Sequence, residues 1–145
     1  METIELRPLG MVRNGVTETI RESWEDVISE IVVRDDLAGV LDGLEGFSHV
    51  LVIFWMHQAR PADGVRARPR GRPDMPRVGL LAIRTPHRPN PIGLTAAEVM
   101  GTATRKLKVR GLDAIDGTPI LDIKPYMPGL DRRDGVRVPE WVDLL

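Results

Sequence analysis

The sequence predicts a mostly-β fold: a small antiparallel β-barrel with one short helix and a long Arg/Pro-rich loop, without a Rossmann core. Three observations predict it. Short apolar or alternating runs recur between Gly and Pro turns along most of the 145 residues, which is how barrels and sandwiches read. Only one stretch has persuasive helical periodicity. Gly43, Gly46, Gly71 and Gly79 fit neither a dinucleotide nor a Walker phosphate loop.

The elements follow in chain order. Residues 4–13 form a mixed apolar–polar run interrupted by Pro8 and Gly10. Residues 27–33 are rich in β-branched side chains, which favour strands. In 35–44, Asp35 or Asp36 can cap a helix, Leu37, Val40, Leu41 and Leu44 make an i, i+3, i+4, i+7 stripe, and Gly43 can end it. Residues 47–57 hold seven consecutive apolar residues, as a strand buried on both faces would. Residues 78–83 repeat that pattern, and 92–100 follow a turn. Leu107 and Val109 alternate with Lys106, Lys108 and Arg110, giving one apolar and one basic face. Asp116-Gly117 is a hairpin signal, and Pro119 places 120–123 at a strand start or sheet edge. The apolar 141–145 segment is expected to dock on the body.

Composition narrows the function classes. The chain has no cysteine, so a disulfide scaffold, a thiolate metal site and a cysteine nucleophile are excluded. The longest apolar run is too short to span a membrane, and the acidic N-terminus lacks the plan of a signal peptide; a cytoplasmic location and no membrane partner are expected. The formal net charge of −1 hides its distribution. Residues 1–57 hold eleven acids and four bases, net −7; residues 58–88 hold eight arginines and two acids, net +6; the remainder is balanced. Seven of the twelve prolines also fall between Pro61 and Pro91. The stretch ARPADGVRARPRGRPDMP (59–76) is therefore a long loop rather than a helix or central strand. It divides the chain without leaving enough on either side for a core, so a single domain over 1–145 is expected.

Several side chains could carry chemistry. His49 and His57 share a strand face but lie roughly 26 Å apart along an extended strand, so no shared metal is expected. His57 and Gln58 end the apolar strand, where polar groups can face a pocket. The segment Arg84 to Leu94 packs three prolines around two arginines and a histidine, a rigid frame that lowers the entropy cost of binding. Gly111 breaks the strand alternation beside Asp113, an acceptor suited to hydroxyls or an amine. Asp116 reads as turn chemistry, and Tyr126 is the only tyrosine. Arg66, Arg68, Arg70 and Arg72 alternate, so in an extended chain they would project together and could track phosphates.

These segments together resemble a known family. LEGFSH (44–49), FWMHQ (54–58), RPNPIGL (88–94) and DGTPILDIKPY (116–126) occur in the order found in the TsaA-like (TrmO) family. The resemblance implies a β-barrel tRNA methyltransferase. It would use S-adenosylmethionine (SAM) to methylate N6 of threonylcarbamoyladenosine at position 37, beside the anticodon, and would work as a homodimer. Carried over by position, the SAM contacts are His57, Gln58, Arg84, Leu94, Arg110, Gly111, Leu112 and Asp113. Asp113 and Tyr126 are the candidate catalytic participants. Arg66, Arg68, Arg70, Arg72 and Arg88 would hold the phosphates of the tRNA anticodon arm. Two departures stand out: residues 14–22 show no counterpart of the family's Pro/Arg/Gln-type cofactor string, and the additional C-terminal region of some bacterial members is expected to be absent. Two other readings stay open, an RNA-binding module of the same fold without catalysis and a SAM-dependent methyltransferase acting on a small molecule.

Overall fold

The computed structural model describes residues 1–19 and 23–145; the last three residues of the 14–22 segment lie outside this description. The chain folds as two compact units, one of 1–57 with 92–127, the other of 58–91 with 128–145.

The first unit is a closed barrel of six antiparallel strands. In chain order these are β1 (Gly10–Arg13), β2 (Ile28–Val33), β3 (His49–Trp55), β6 (Ile92–Ala103), β7 (Lys106–Arg110) and β8 (Pro119–Pro125). Around the barrel they run β1-β2-β7-β6-β3-β8 and back to β1. Closure removes every exposed sheet edge. The period-2 pattern fills the inside. Val12, Ile31, Val50, Val52, Leu107, Val109 and Ile120 are fully buried, each contributing roughly 1.5–3 kcal/mol of transfer free energy. The expected split of β7 holds: Leu107 and Val109 point in, while Lys106 and Lys108 are exposed. β3 differs from its expected form. Val50, Val52 and Phe54 are buried, but Leu51, Ile53 and Trp55 are only half-buried. A barrel strand has one inner face, so the apolar run reflects a covered wall rather than a sandwich-like burial.

The helix expected at 35–44 is instead a series of 3-10 turns, at Asp35–Leu37 and Leu44–Gly46, linked by further i→i+3 bonds such as Val40 N–H to Leu37 C=O at 2.9 Å. Gly39 and Gly43 have φ of 92° and 95°, which no α-helix accommodates. Three of the four stripe residues still face the core, Leu41 within it and Leu37 and Leu44 packed against it, but Val40 is exposed. The one α-helical turn among the described residues, α1, is Pro128–Asp131 in the second unit.

Asp116-Gly117 forms a turn but not a hairpin. Thr118 N–H bonds Ile115 C=O at 3.2 Å, and Gly117 takes a φ of 80°. The strands on either side, β7 and β8, do not pair with each other. The hairpin of this region lies between β6 and β7, across Thr104 and Arg105.

The second unit contains β4 (Arg66–Ala67) paired with β5 (Val78–Gly79), and short 3-10 turns at Pro69–Gly71 and Leu80–Ala82. The strand expected over 78–83 is thus two residues long before it turns. Arg72 ties the unit's two segments together, donating to the Leu144 carbonyl at 2.5 Å. The C-terminal segment is thus part of this unit, but through a main-chain carbonyl: Leu144 and Leu145 are exposed, so the apolarity that suggested docking is not what holds it.

Candidate functional site

Antiparallel order brings the end of β3, the start of β6 and the end of β7 to one end of the barrel. His57 follows β3, Leu94 is the third residue of β6, and Gly111 to Asp113 continue past β7. Separate motifs of the sequence therefore meet there. His57 and Asp113 are exposed, and Leu94 is 48% exposed.

The join is built by β6. Gly93 faces Phe54 and Thr95 faces Val52. A methyl group on Gly93 would lie 2.3 Å from the Phe54 ring, so glycine is required for that ring to close the core. Thr95 shares the inward face, and its hydroxyl donates to the Asp113 carboxylate. Asp113 thus has one oxygen anchored. Gly111 has a φ of 88° and its N–H bonds Val27 C=O at 3.0 Å, which turns the chain away from the ladder toward Asp113.

Below this end, Asn14 and Asp116 lace β1 to the 114–118 segment. Asn14 Nδ2 donates to Ala114 C=O at 2.8 Å and to buried Ser29 Oγ at 3.0 Å. The Asp116 carboxylate accepts the Asn14 and Gly15 amides at 2.8 and 3.1 Å. Those two backbone bonds hold its carboxyl below the usual carboxylate range. Asp116 is turn chemistry, as the sequence reads.

Other expected residues are placed differently. Leu112 is fully buried in the barrel core, so only its backbone can meet a ligand. The Arg110 guanidinium pairs with Glu98 at 2.6 Å across β6 and β7. Tyr126 and Asp113 are not brought together. Tyr126 lies past the end of β8, its N–H bonded to His49 C=O at 3.0 Å, at the opposite end of β3 from His57. Its ring meets His49 edge-on with centroids 6.5 Å apart. His49 itself bonds Ser48 Oγ at 2.8 Å. No cluster of three metal-ligating side chains occurs among the described residues.

Gln58 and Arg84 belong to the second unit, where both are exposed. The alternate arginines do not form a row. Pro69–Gly71 turn the chain, and Arg70 takes a φ of 53°. Arg68 donates to Met75 C=O, Arg72 forms a two-point pair with Asp74 at 3.0 and 2.5 Å, and Arg88 bonds Ile83 C=O at 2.9 Å. These three hold the loop's own shape. Spacing could not reveal that, because their partners are backbone carbonyls and a turn acid. Thr95 and Asn14 escape sequence reasoning for a similar reason: each acts through a partner far away in sequence, although Asn14-Gly15 does carry a turn signal.

The family profile described as the tRNA-methyltransferase O N-terminal domain matches residues 19–132. The chain belongs to this family. An S-adenosyl-L-methionine-binding protein of Archaeoglobus fulgidus is 38% identical over 130 residues, covering 87% of this chain and 91% of that protein. The tRNA (adenine(37)-N6)-methyltransferase of Escherichia coli is 40% identical over 143 residues, covering 88% of this chain. The crystal structure of TrmO from Pseudomonas aeruginosa superposes with a TM-score of 0.79 at 31% identity over 94% of this chain. The chain spans 60% of the Escherichia coli enzyme and 61% of the Pseudomonas chain. As in that structure, the tRNA-methyltransferase O domain here is a barrel, consistent with the missing Gly-rich fingerprint.

Proposed function

We propose that this chain binds SAM at the barrel end formed by His57, Leu94, Gly111 and Asp113, and methylates N6 of threonylcarbamoyladenosine at position 37 of tRNA. One observation carries the reading. Thr95, the residue directly after RPNPIGL, hydrogen-bonds Asp113, which brings β6 and the Leu112–Asp113 stretch together although they lie apart in sequence. The residues present suit the cofactor's chemistry: Asp113 offers an acceptor for hydroxyls or an amine, and Leu94, on the outer face of β6, offers exposed apolar surface. When bound, SAM supplies an electrophilic methyl group on a sulfonium.

The chain's task is positioning. In-line displacement gains most from held geometry and excluded water. Thr95 fixes the direction of the Asp113 carboxylate, whose free oxygen is the acceptor available for a donor or a departing proton. Gly111 lets the backbone run close to a ligand without a side chain. Tyr126, at the other end of β3 with its ring against His49, is outside this barrel end. Names of relatives support the cofactor and the tRNA substrate. No helix among the described residues is long and apolar enough to cross a membrane, and we infer a cytoplasmic enzyme. We also infer a homodimer, supported by an apolar groove of about 300 Å³ on the first unit, lined by Ile4, Leu6, Pro8, Trp55, Pro119 and Leu121.

The decisive experiment is mass spectrometry of nucleosides from tRNA incubated with the protein and SAM. Threonylcarbamoyladenosine should gain one methyl group, and tRNA lacking the threonylcarbamoyl group should stay unmodified. Equal methylation of both would overturn the substrate. No SAM binding in calorimetry at millimolar cofactor would overturn the enzyme. Asp113→Ala should lose most of the activity; full activity would remove Asp113 from the site.

A further inference from the structure

The second unit carries a cleft of about 580 Å³, within the size range of small-ligand sites, about 300–1,000 Å³. Arg60, Arg66, Arg68 and Arg70 line it with a single acid, Asp63. Its floor is apolar: Leu80 and Ile83 are 6% and 8% exposed. His87 closes one side, its Nδ1–H donating to Arg60 C=O at 2.8 Å, which leaves Nε2 available.

The arginines that line or brace the cleft differ in what holds them, while Arg77, Arg84 and Arg137 of the same unit are exposed but do not line it. Arg68 and Arg88 spend their guanidinium groups on the loop's own carbonyls, and Arg72 spends its own on Asp74 and the Leu144 carbonyl. Arg60, Arg66 and Arg70 have no side-chain partner among the described residues, and all three are exposed. Arg70 is also the only described non-glycine residue at positive φ. That angle belongs to the turn: Arg70 and Gly71, with φ of 53° and 65°, are the central residues of a turn closed by Arg72 N–H to Pro69 C=O at 3.1 Å, and the turn presents the Arg70 side chain at the cleft.

We propose that Arg60, Arg66 and Arg70 grip backbone phosphates of one single-stranded RNA segment, whose unstacked nucleotide rests against Leu80 and Ile83. This rests on the reading of the chain as a tRNA-acting enzyme, and it narrows the expected phosphate set. Arg60 joins that set, and Arg68, Arg72 and Arg88 leave it for a shape-keeping role. Guanidinium forks match phosphate oxygens, and an apolar floor beneath them suits the base and sugar.

The test measures tRNA affinity against salt for the wild type and for Arg60→Ala/Arg66→Ala/Arg70→Gly. Glycine is chosen at 70 because of the backbone angle. The slope of log K on log salt should flatten by about 0.7 for each phosphate no longer neutralised, with SAM affinity in calorimetry equal to wild type. Replacing the same three residues by lysine should restore most of the slope, which a purely structural role would not predict. Lys106→Ala/Lys108→Ala, on the outer wall of the barrel, should leave the slope unchanged. A wild-type slope in the triple variant overturns the proposal while the tRNA reading stands. Loss of SAM affinity in that variant would assign the cleft to the cofactor and overturn it too. A wild type without salt-dependent tRNA binding would sink both the proposal and the reading beneath it.

Discussion

Gly93 shows how one residue sets the geometry of the barrel end. The Phe54 ring lies where its Cβ would be, at 2.3 Å, and Phe54 is 3% exposed, so the ring has nowhere to move cheaply. Gly93→Ala should destabilise the protein by about 1–3 kcal/mol, the usual cost of overpacking a core, read as a lower urea midpoint. Phe54→Leu in the same chain should recover part of that loss. If the single substitution leaves the midpoint unchanged, the ring does not depend on the glycine. The motif RPNPIGL was legible as a unit, but its spacing does not show that Gly93 serves the core while Leu94 faces out. Strand alternation supplies that division only once the register with β3 is known.

Among the elements, the turn at 115–118 is the clearest local device. Asp116 accepts two backbone amides from the β1 exit, which lowers its folded-state pKa. The stability it contributes is fully present above the unfolded value, about 3.9, and is lost as pH falls through the folded value. Asp36 and Asp74, held low by hydrogen bonds from Arg34 and Arg72, act in the same direction. Asp116→Asn should therefore lower stability at neutral pH and flatten the loss of stability below about pH 4, measured by thermal unfolding across pH 2–7. A variant with the wild-type acid limb would refute the linkage. The turn itself was readable from Asp116-Gly117; that it caps β1 rather than closing a hairpin was not. Its partners lie about a hundred residues earlier in the chain. The stripe at 35–44 misleads in the opposite way. Leu41 is buried as the spacing implies, yet glycines with positive φ replaced the helix by 3-10 turns and left Val40 exposed.

For the whole molecule, the charge map and the fold coincide. The +6 segment, 58–88, lies wholly within the second unit, while the acidic 1–57 segment builds the barrel. A near-neutral total therefore concentrates its attraction for a polyanion in one unit. The apolar groove of the first unit makes the remaining prediction. Ile4 and Leu6 are 81% and 63% exposed, and exposed apolar patches mark association sites. Sedimentation equilibrium should show a dimer that Leu6→Glu shifts to monomer; a wild-type monomer at micromolar concentration would refute the dimer. The sequence by itself determined the β class, the segregation of charge, the family and most of the residues at the barrel end. Those follow from period-2 alternation, local composition and ordered motifs, all of which are written along the chain. The tertiary structure alone decided that Thr95 holds Asp113, that Tyr126 stands at the other end of the barrel, and which arginines keep free guanidinium groups. Hydrogen-bond partners depend on which backbone carbonyls the fold brings near, as when Arg72 reaches Leu144, and spacing in sequence carries no record of that.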